Sequence, residues 1–395
     1  MHICLDLSVL RTRPTGVGYY GYFLAKALNE RAAESSCYLA FDGLRFARLE
    51  AFLDAYANRS ALATSVNQAL WNTVAPVSLL RTFYRQVKRA AFVRGCRGLD
   101  LVHAITYAPP AHAGTPWLPL LHDLSHVRAP HFHPVERVRF LERTDRRIGE
   151  AALVNTVSEF SRGEIVTLLG VPQDRVRVTY PGVDPIFAQR KAADPAILSH
   201  YGLKSGRFLL SVATIEPRKN VEALVLAFAR LAPAVRKDAV LLLTGQGGWR
   251  GMAFPKDAES LQRQGTIRFT GYVSSDHLRV FYQNCALFLY PSHYEGFGIP
   301  VVEAHFAGAP AAISFGSGVR EAAAGLAREI RATDIEGWSS AMREAIETDA
   351  WSHPKPRALR AAAAAPFTWR RNAQLTQALY EEIHGRVAAP LAGQG

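Results

Sequence analysis

One segment constrains what this chain can fold into more than any other, the sequence SHYEGFGIPVVEA at 292–304. The apolar run over 286–290 predicts a buried strand, which ends at the proline that follows it. Pro300 predicts the start of a helix, because proline fits the first helical position. The segment is therefore a strand–loop–helix junction with two carboxylates, Glu295 at the start of the loop and Glu303 in the first turn of the helix.

The loop of this junction suits a ligand that carries both phosphate and hydroxyl groups. The backbone N–H groups of Phe297, Gly298 and Ile299 lie at the predicted helix N-terminus, where the helix dipole favours an anion. Glu295 and Glu303 can accept hydrogen bonds from hydroxyls beside that anion. A nucleotide sugar offers this combination, with ribose and hexose hydroxyls on either side of a diphosphate. For this segment alone, an ordinary strand–loop–helix unit is the alternative.

Three further loops follow predicted strands and carry polar or glycine residues. Gly16 and Gly18 let a ligand approach the backbone before a helix, although a tight turn without a ligand is the alternative. His122 ends an apolar run at the sheet edge where open α/β sheets bind ligands, and a structural His–Asp pair is the alternative. Arg218 and Lys219 precede a predicted helix, where the dipole disfavours cations, so a diphosphate-binding role is favoured over a solvated pair.

Composition indicates a globular protein of two domains. The chain has 395 residues, of which 49% are hydrophobic, enough for two ordinary cores. We find no apolar run long enough to span a bilayer and no cleavable signal, so we expect a soluble or peripheral protein. The cysteines are scattered without a C-x-x-C pair and are expected to be reduced thiols in a cytoplasmic protein. They are Cys4, Cys37, Cys96 and Cys285.

The net charge of +12 requires an explanation, either a partner or the high arginine content that a GC-rich genome produces. The segment 79–97 has no acidic residue and predicts a basic amphipathic helix that lies on anionic lipid. Its basic residues are Arg81, Arg85, Lys88, Arg89, Arg94 and Arg97. The alternative is a surface helix whose apolar stripe packs on its own domain. No nucleic-acid-binding motif accompanies the charge, so nucleic acid is not expected as a partner. The polar segment 191–206 predicts a linker between the domains.

Taken in order, these motifs resemble the retaining GT-B glycosyltransferases of glycosyltransferase family 4. The resemblance covers residues 3 to about 385 and rests on segments with the sequences PTGVGYY, HDL, VSEFS, PGVD, EPRKN, EGFGIPVVEA and FTW. Some members carry an arginine just after the strand that precedes EPRKN. Here Ala213 and Thr214 occupy those positions, which leaves Arg218 and Lys219 as the phosphate cations.

The resemblance implies an α/β fold of the GT-B type, with two Rossmann-like domains facing a central cleft. We expect an N-terminal acceptor-binding domain over 1–190 and a nucleotide-sugar-binding domain over 191–368. A C-terminal helix over 369–388 is expected to cross back to the N-terminal domain. The resemblance implies transfer of a hexose with retention at the anomeric carbon and without a cofactor. The chain has no D-x-D sequence, so we expect this transfer to be metal-independent, with no metal ligand.

Site roles carry over from the resemblance at matching positions. The expected catalytic residues are Glu295, His122, Lys219 and Arg218. The expected donor-binding residues are Gly16, Val17, Gly18, Thr214, Tyr272, Val273, Phe297, Gly298, Ile299 and Glu303. In the front-face mechanism favoured for such enzymes, the leaving phosphate takes the proton of the acceptor hydroxyl.

Members with similar motifs often transfer mannose or rhamnose in bacterial surface-polysaccharide assembly. GDP-mannose is therefore the first expected donor, and a glycan or polyprenyl-diphosphate-linked glycan is the expected acceptor. A UDP- or dTDP-sugar donor stays open, as does a nucleotide-sugar epimerase, which shares the fold and uses no acceptor. A GT-B partner protein that binds without catalysing is a further alternative, although it would be expected to have lost Glu295 or Lys219, and both are present. The expected location is cytoplasmic and peripheral on the inner face of the cytoplasmic membrane, held there by residues 79–97.

Overall fold

The computed structural model describes residues 1–7, 10, 16–31, 36–39, 45–54, 86–87, 90–105, 114–189, 195–247, 256–348 and 353–388. Within these residues, strands and helices alternate along the chain and form two sheets. Nearly all strand pairs are parallel, so helices cover both faces and the strands can be apolar throughout.

The first sheet has the strand order β3-β2-β1-β4-β5-β6-β7, and only the β2–β3 pair among these is antiparallel. Its strands are β1 Ile3–Asp6, β2 Ser36–Leu39, β3 Arg45–Phe46, β4 Leu101–Ala104, β5 Trp117–Leu121, β6 Val154–Thr156 and β7 Val176–Val178. Its helices are α1 Gly16–Glu30, α2 over 49–54, α3 over 90–95, α4 Ser125–Arg128, α5 Val135–Ile148 and α6 Glu159–Leu169. Short 3₁₀ turns cover Pro130–Phe132, Gln173–Arg175 and Pro185–Ala188.

The second sheet has the strand order β10-β9-β8-β11-β12-β13 and is parallel throughout its described pairs. Its strands are β8 Phe208–Val212, β9 Val240–Thr244, β10 Ile267–Gly271, β11 Leu287–Tyr290, β12 Ala311–Ser314 and β13 Ala327–Ile330. The helices that follow α6 are α7 Pro195–His200, α8 Val221–Ala229, α9 Pro233–Arg236, α10 Lys256–Arg263, α11 Ser275–Asn284, α12 Ile299–Ala307, α13 Val319–Ala323, α14 Ile335–Glu347, α15 Pro354–Ala364 and α16 Trp369–Ala388. A 3₁₀ turn covers Pro217–Lys219.

In each sheet the strand order reverses at one point, between β1 and β4 in the first and between β8 and β11 in the second. Ligands of open α/β sheets bind at such switch points, outside the carboxyl ends of the strands. The loops after β1, β8 and β11 therefore lie at the switch points, and the loop after β5, which is next to β4 in the sheet, borders the first of them.

Helix α16 follows the second sheet in sequence but packs against the first domain. The Asn372 amide donates to the Tyr180 carbonyl at 2.8 Å, and the Tyr380 hydroxyl lies 2.8 Å from His103 Nδ1. The Trp369 ring stacks on Phe23 of α1 with centroids 5.6 Å apart. The predicted boundaries at 190 and 368 stay predictions.

Three sequence predictions change in detail. Helix α1 starts at Gly16. Gly16 and Gly18 of the sequence PTGVGYY therefore lie in the first turn of this helix and not in the loop before it. The predicted linker 191–206 contains α7, whose Ile197 and Leu198 side chains are buried, so an apolar pair folds part of it onto the second domain. The predicted β5 run extends over 117–121, which leaves His122 just beyond the strand.

The predicted basic helix 79–97 lies partly outside the described residues. Four of its basic residues fall in the part that is not described, namely Arg81, Arg85, Lys88 and Arg89. In its described part, the Phe92 side chain is 1% exposed and packs in the core of the first domain. At Phe92, the apolar stripe of the predicted helix therefore packs on its own domain. In the described part of the chain, no helix is long and apolar enough to cross a membrane.

Candidate active site

The junction identified in the sequence forms the strand–loop–helix unit β11–α12. Helix α12 starts at Ile299, with Pro300 as its second residue, one position later in the helix than expected. Gly298 caps the helix with a φ of 106°, which side chains rarely adopt, and a Cβ there would lie 3.0 Å from Val319 Cγ2. Glycine is therefore required where the loop turns into the helix. In the first turn of α12, Pro300 has no N–H and the Val301 N–H donates to the Gly298 carbonyl at 2.9 Å. The backbone N–H groups of Gly298 and Ile299 are therefore the ones that could face an anion at this helix N-terminus.

Glu295 in this loop is buried between the two predicted phosphate cations. Its Oε1 lies 2.5 Å from Lys219 Nζ, and its Oε2 lies 3.1 Å from Arg218 Nη1. Burial alone would raise the pKa of Glu295, but the two cations outweigh it and lower that pKa. Burial lowers the pKa of Lys219 despite the opposing carboxylate. The carboxylate therefore occupies the place beside both cations where an anionic ligand group would also be most stable.

Arg218 also contacts several groups other than Glu295. Its guanidinium donates to the Tyr294 carbonyl at 2.7 Å and to Glu216 Oε1 at 3.1 Å. Asp123 of the first domain lies 4.0 Å away. Burial opposes the charge of Arg218, but the surrounding carboxylates raise its pKa. Burial likewise opposes the charge of Asp123, while Arg218 and the hydrogen bonds of Ser125 bring the pKa of Asp123 down to about 2. Arg218 and Asp123 are therefore both charged near pH 7.

The loop that carries Glu295 presses directly against His122. A Cβ at Gly296 would lie 1.8 Å from the His122 carbonyl oxygen, and the Ser158 hydroxyl donates to the Gly296 carbonyl at 2.5 Å. The Nε2 atom of His122 lies 3.1 Å from the Ile105 carbonyl, which makes this nitrogen the donor. Burial lowers the pKa of His122, so the ring is neutral. The first domain therefore contributes His122 to the same site.

Glu303 lies at the other end of the junction. It is the fifth residue of α12 and so lies just beyond the first turn in which the sequence predicts it, because the helix starts at Ile299. The Tyr282 hydroxyl donates to Glu303 Oε2 at 3.0 Å, and burial raises the pKa of Glu303 to about 7. The Tyr19 hydroxyl of the first domain lies 2.8 Å from that of Tyr272, which is 60% exposed. Burial and the contact with Tyr272 raise the pKa of Tyr19, and the nearby Glu303 carboxylate adds to this increase.

The remaining predicted donor-binding residues lie at the carboxyl edges of the two sheets. Thr214 is exposed two residues beyond β8, and Val273 is partly buried two residues beyond β10. The segment Gly16–Gly18 forms the first turn of α1, next to Tyr19. The side chain of Phe297 is buried in the core, so of this residue only the backbone can serve a ligand.

Several residues of the site were not singled out from the sequence. Asp123 and Glu216 belong to the quoted motifs HDL and EPRKN, so the motifs contained the signal. Glu321 accepts hydrogen bonds from the N–H groups of Glu159 and Phe160 at 2.9 and 2.6 Å. This carboxylate of the second domain thereby caps helix α6 of the first and fixes the two sides of the cleft. In the described residues, no group of three or more His, Cys, Asp and Glu side chains could hold a metal ion.

Comparison with solved structures places this fold in a known class. HepE of Anabaena, solved in complex with UDP, matches with a TM-score of 0.70 at 18% identity, over 96% of this chain and 100% of that one. WaaG, a glycosyltransferase involved in lipopolysaccharide biosynthesis, matches with a TM-score of 0.62 at 16% identity, over 98% of this chain and 99% of that one. The fold is therefore the GT-B fold of glycosyltransferases, as the sequence predicted.

Family models and curated relatives identify the family. Residues 14–187 match Glycosyltransferase Family 4, and residues 199–364 match Glycosyl transferases group 1. The chain belongs to this family of GT-B glycosyltransferases, which confirms the resemblance.

Two relatives from Escherichia coli carry names of mannosyltransferases. O-antigen chain mannosyltransferase B is 33% identical over 58% of this chain, and the match covers 61% of that relative. The serotype-specific mannosyltransferase WbdA is 24% identical over 95% of this chain and 47% of that protein. The chain thus spans about half to three-fifths of the length of these relatives.

Proposed function

We propose that this protein is a retaining hexosyltransferase that moves mannose from GDP-mannose to a hydroxyl of a glycan or lipid-linked glycan in bacterial surface-polysaccharide synthesis. The observation that carries the proposal is the buried contact of Glu295 with Lys219 and Arg218 at the mouth of α12. The names of the Escherichia coli relatives support mannose as the sugar.

The chemistry follows from charge and position. Lys219, Arg218 and the N-terminus of α12 stabilise the diphosphate as it departs, which is the largest demand of this reaction. The bond from the acceptor oxygen to the anomeric carbon forms on the face where the bond to the phosphate oxygen breaks. The acceptor proton passes to that phosphate oxygen, so no strong protein base is required. Because protein cations supply the positive charge, we propose that the reaction needs no metal ion.

The contacts of Glu295 with Lys219 and Arg218 imply that these side chains exchange partners when the donor binds. In the structure, the Glu295 carboxylate neutralises Lys219 and Arg218. A bound diphosphate takes over that role, which frees Glu295 to accept hydrogen bonds from hexose hydroxyls. His122 then lies beside the hexose, because its carbonyl touches the Gly296 loop. Glu303 accepts hydrogen bonds from the ribose hydroxyls.

The proposal is tested by the stereochemistry of the product. The protein is incubated with GDP-mannose and octyl α-mannoside in the presence of EDTA, and the product is followed by proton NMR. We expect an α-linked disaccharide, which is retention from the α-linked donor, at a rate unchanged by EDTA. A β-linked product would contradict retention, and a rate that EDTA abolishes and magnesium restores would contradict metal independence.

Donor binding is expected to depend on pH through Glu303. Its pKa is raised to about 7, so the carboxylate that accepts ribose hydroxyls is protonated below that pH. If only the ionised form binds well, the donor KM rises about tenfold from pH 8 to pH 6. Glu303→Gln is expected to have a high KM with no such slope. The donor KM measured by nucleotide release at pH 6–8 tests this, and an equal slope in the variant would refute the assignment.

We also propose that the protein is cytoplasmic and binds the inner face of the membrane through residues 79–97. Binding to vesicles of anionic phosphatidylglycerol is expected to weaken steeply with salt, because the attraction is screened. Reversing the charges of Arg85, Lys88 and Arg89 is expected to abolish it. The matched control reverses the charges of three arginines exposed on α5, which are Arg139, Arg143 and Arg146. Equal loss in both triple variants would show a net-charge effect and contradict a specific segment.

A further inference from the structure

Two pairs of aromatic residues cross the cleft, one at each end of the site. The first is the Tyr19–Tyr272 pair beside Glu303. The second is Phe132 of the first domain, whose ring stacks on His293 of the second with centroids 5.2 Å apart and planes 20° apart. Neither Phe132 nor His293 has a role in the proposed donor binding. The Phe132–His293 stack, together with His131, is called the aromatic bridge below.

The aromatic bridge adjoins Arg218, Lys219 and Glu295, which are called the cation cluster below, through contacts in both domains. On the second domain, the backbone N–H of His293 donates to the Arg218 carbonyl at 2.9 Å, and His293 precedes Glu295 by two residues. On the first domain, His133 follows Phe132, and its Nε2 lies 2.9 Å from the Ser125 hydroxyl. The Ser125 N–H donates to Asp123 at 2.8 Å, and Asp123 lies 4.0 Å from Arg218. The bridge therefore borders the reacting centre at the end of the site away from Glu303.

The bridge combines aromatic rings with the hydrogen-bonding edges of two imidazoles. The rings of Phe132 and His131 lie with centroids 4.1 Å apart, tilted by 47°. His131 and His293 are exposed to solvent, while Phe132 is partly buried. Burial and the neighbouring His131 lower the pKa of His293, so its ring is neutral near pH 7 and offers one donor and one acceptor.

A sugar ring matches this surface. A hexopyranose has a face of C–H groups that packs on an aromatic ring, and hydroxyls around its edge that pair with imidazole nitrogens. A donor that extends from Glu303 to Lys219 leaves the bridge uncovered, and the incoming hydroxyl must arrive close to Glu295. We propose that the aromatic bridge is a subsite that binds a sugar ring of the acceptor glycan. This inference rests on the proposed function, because it assigns the second substrate of the same site.

The test is saturation-transfer NMR with α-mannobiose and α-mannotriose as probes, in the presence of saturating GDP. We compare the wild-type protein with His293→Ala and with Phe132→Leu, which keeps apolar volume but removes the aromatic face. Phe140→Ala is the matched control, since Phe140 is a phenylalanine of the same domain with 56% of its surface exposed on α5.

Transfer to the ring C–H protons is expected in the wild-type protein and in the control, with at least a fivefold loss in His293→Ala and Phe132→Leu. Nucleotide release from the donor without acceptor is expected to be unchanged in all four proteins. The inference is overturned if the wild-type protein shows no transfer, or if both bridge variants retain it. If transfer behaves as expected but the wild-type protein turns over no donor, the proposed function fails while the glycan subsite stands.

Discussion

Replacement of Glu295 by glutamine is expected to lower kcat for nucleotide release by about 100-fold or more, in the range seen when one preorganised polar group is lost from an active site. The glutamine keeps the shape of the side chain but cannot exchange charge with the diphosphate between Lys219 and Arg218. Initial rates at saturating donor measure this effect. A Glu295→Gln protein with wild-type kcat would contradict the assignment.

The same substitution is expected to reduce stability, which requires a control. Removing one member of a buried ion pair costs about 3–5 kcal/mol because its partner stays buried without a counter-charge. The pKa of Glu295 is lowered in the folded state, so this stabilisation is present above the ordinary glutamate pKa and is lost as the pH falls through the folded value. The double variant Glu295→Gln/Lys219→Met removes one charge of each sign. It is expected to regain part of the stability but none of the activity, which separates the two effects.

Replacement of Gly296 by alanine is expected to reduce activity about 100-fold, since a displacement of about 1 Å in an active site has effects of this size. The added Cβ would lie 1.8 Å from the His122 carbonyl oxygen. Because that neighbour is backbone, the loop carrying Glu295 must move away from the first domain. Both the melting temperature and kcat are expected to fall.

Gly163→Ala is the matched control for this substitution. Gly163 lies within α6, and a Cβ there meets nothing within 4 Å, so this variant is expected to be at least as stable as the wild type, with unchanged kcat. Thermal unfolding and nucleotide release on both variants test the prediction. A Gly296→Ala protein that matches Gly163→Ala in both measurements would show that contact between this loop and His122 is not needed.

The fold could be predicted from the sequence because its signals are local. Alternating apolar runs and glycine loops predict two parallel sheets, and Pro300 places the start of α12 within one residue. The motifs EPRKN and EGFGIPVVEA likewise marked the loops that carry the cation cluster. These features depend on residues a few positions apart, where periodicity and turn chemistry decide the structure.

The arrangement of the site could not be predicted, because it depends on contacts between distant parts of the chain. Lys219 and Glu295 are 76 residues apart in sequence and meet because β8 and β11 are neighbours in the sheet. The sequence motifs assign the lysine to phosphate and the glutamate to sugar hydroxyls, with no indication that the two side chains pair with each other. The cross-cleft contact of Tyr19 with Tyr272 depends in addition on how the two domains face each other.

The proposed hexose transfer is tested most directly by the release of free nucleotide from a panel of GDP-, UDP- and dTDP-sugars by the purified protein without acceptor. We expect slow release of GDP from GDP-mannose, and loss of that release in Glu295→Gln. Release from a UDP- or dTDP-sugar instead would keep the transferase chemistry and replace the donor. No release from any donor, with or without octyl α-mannoside, would contradict the claim that this cleft transfers a hexose.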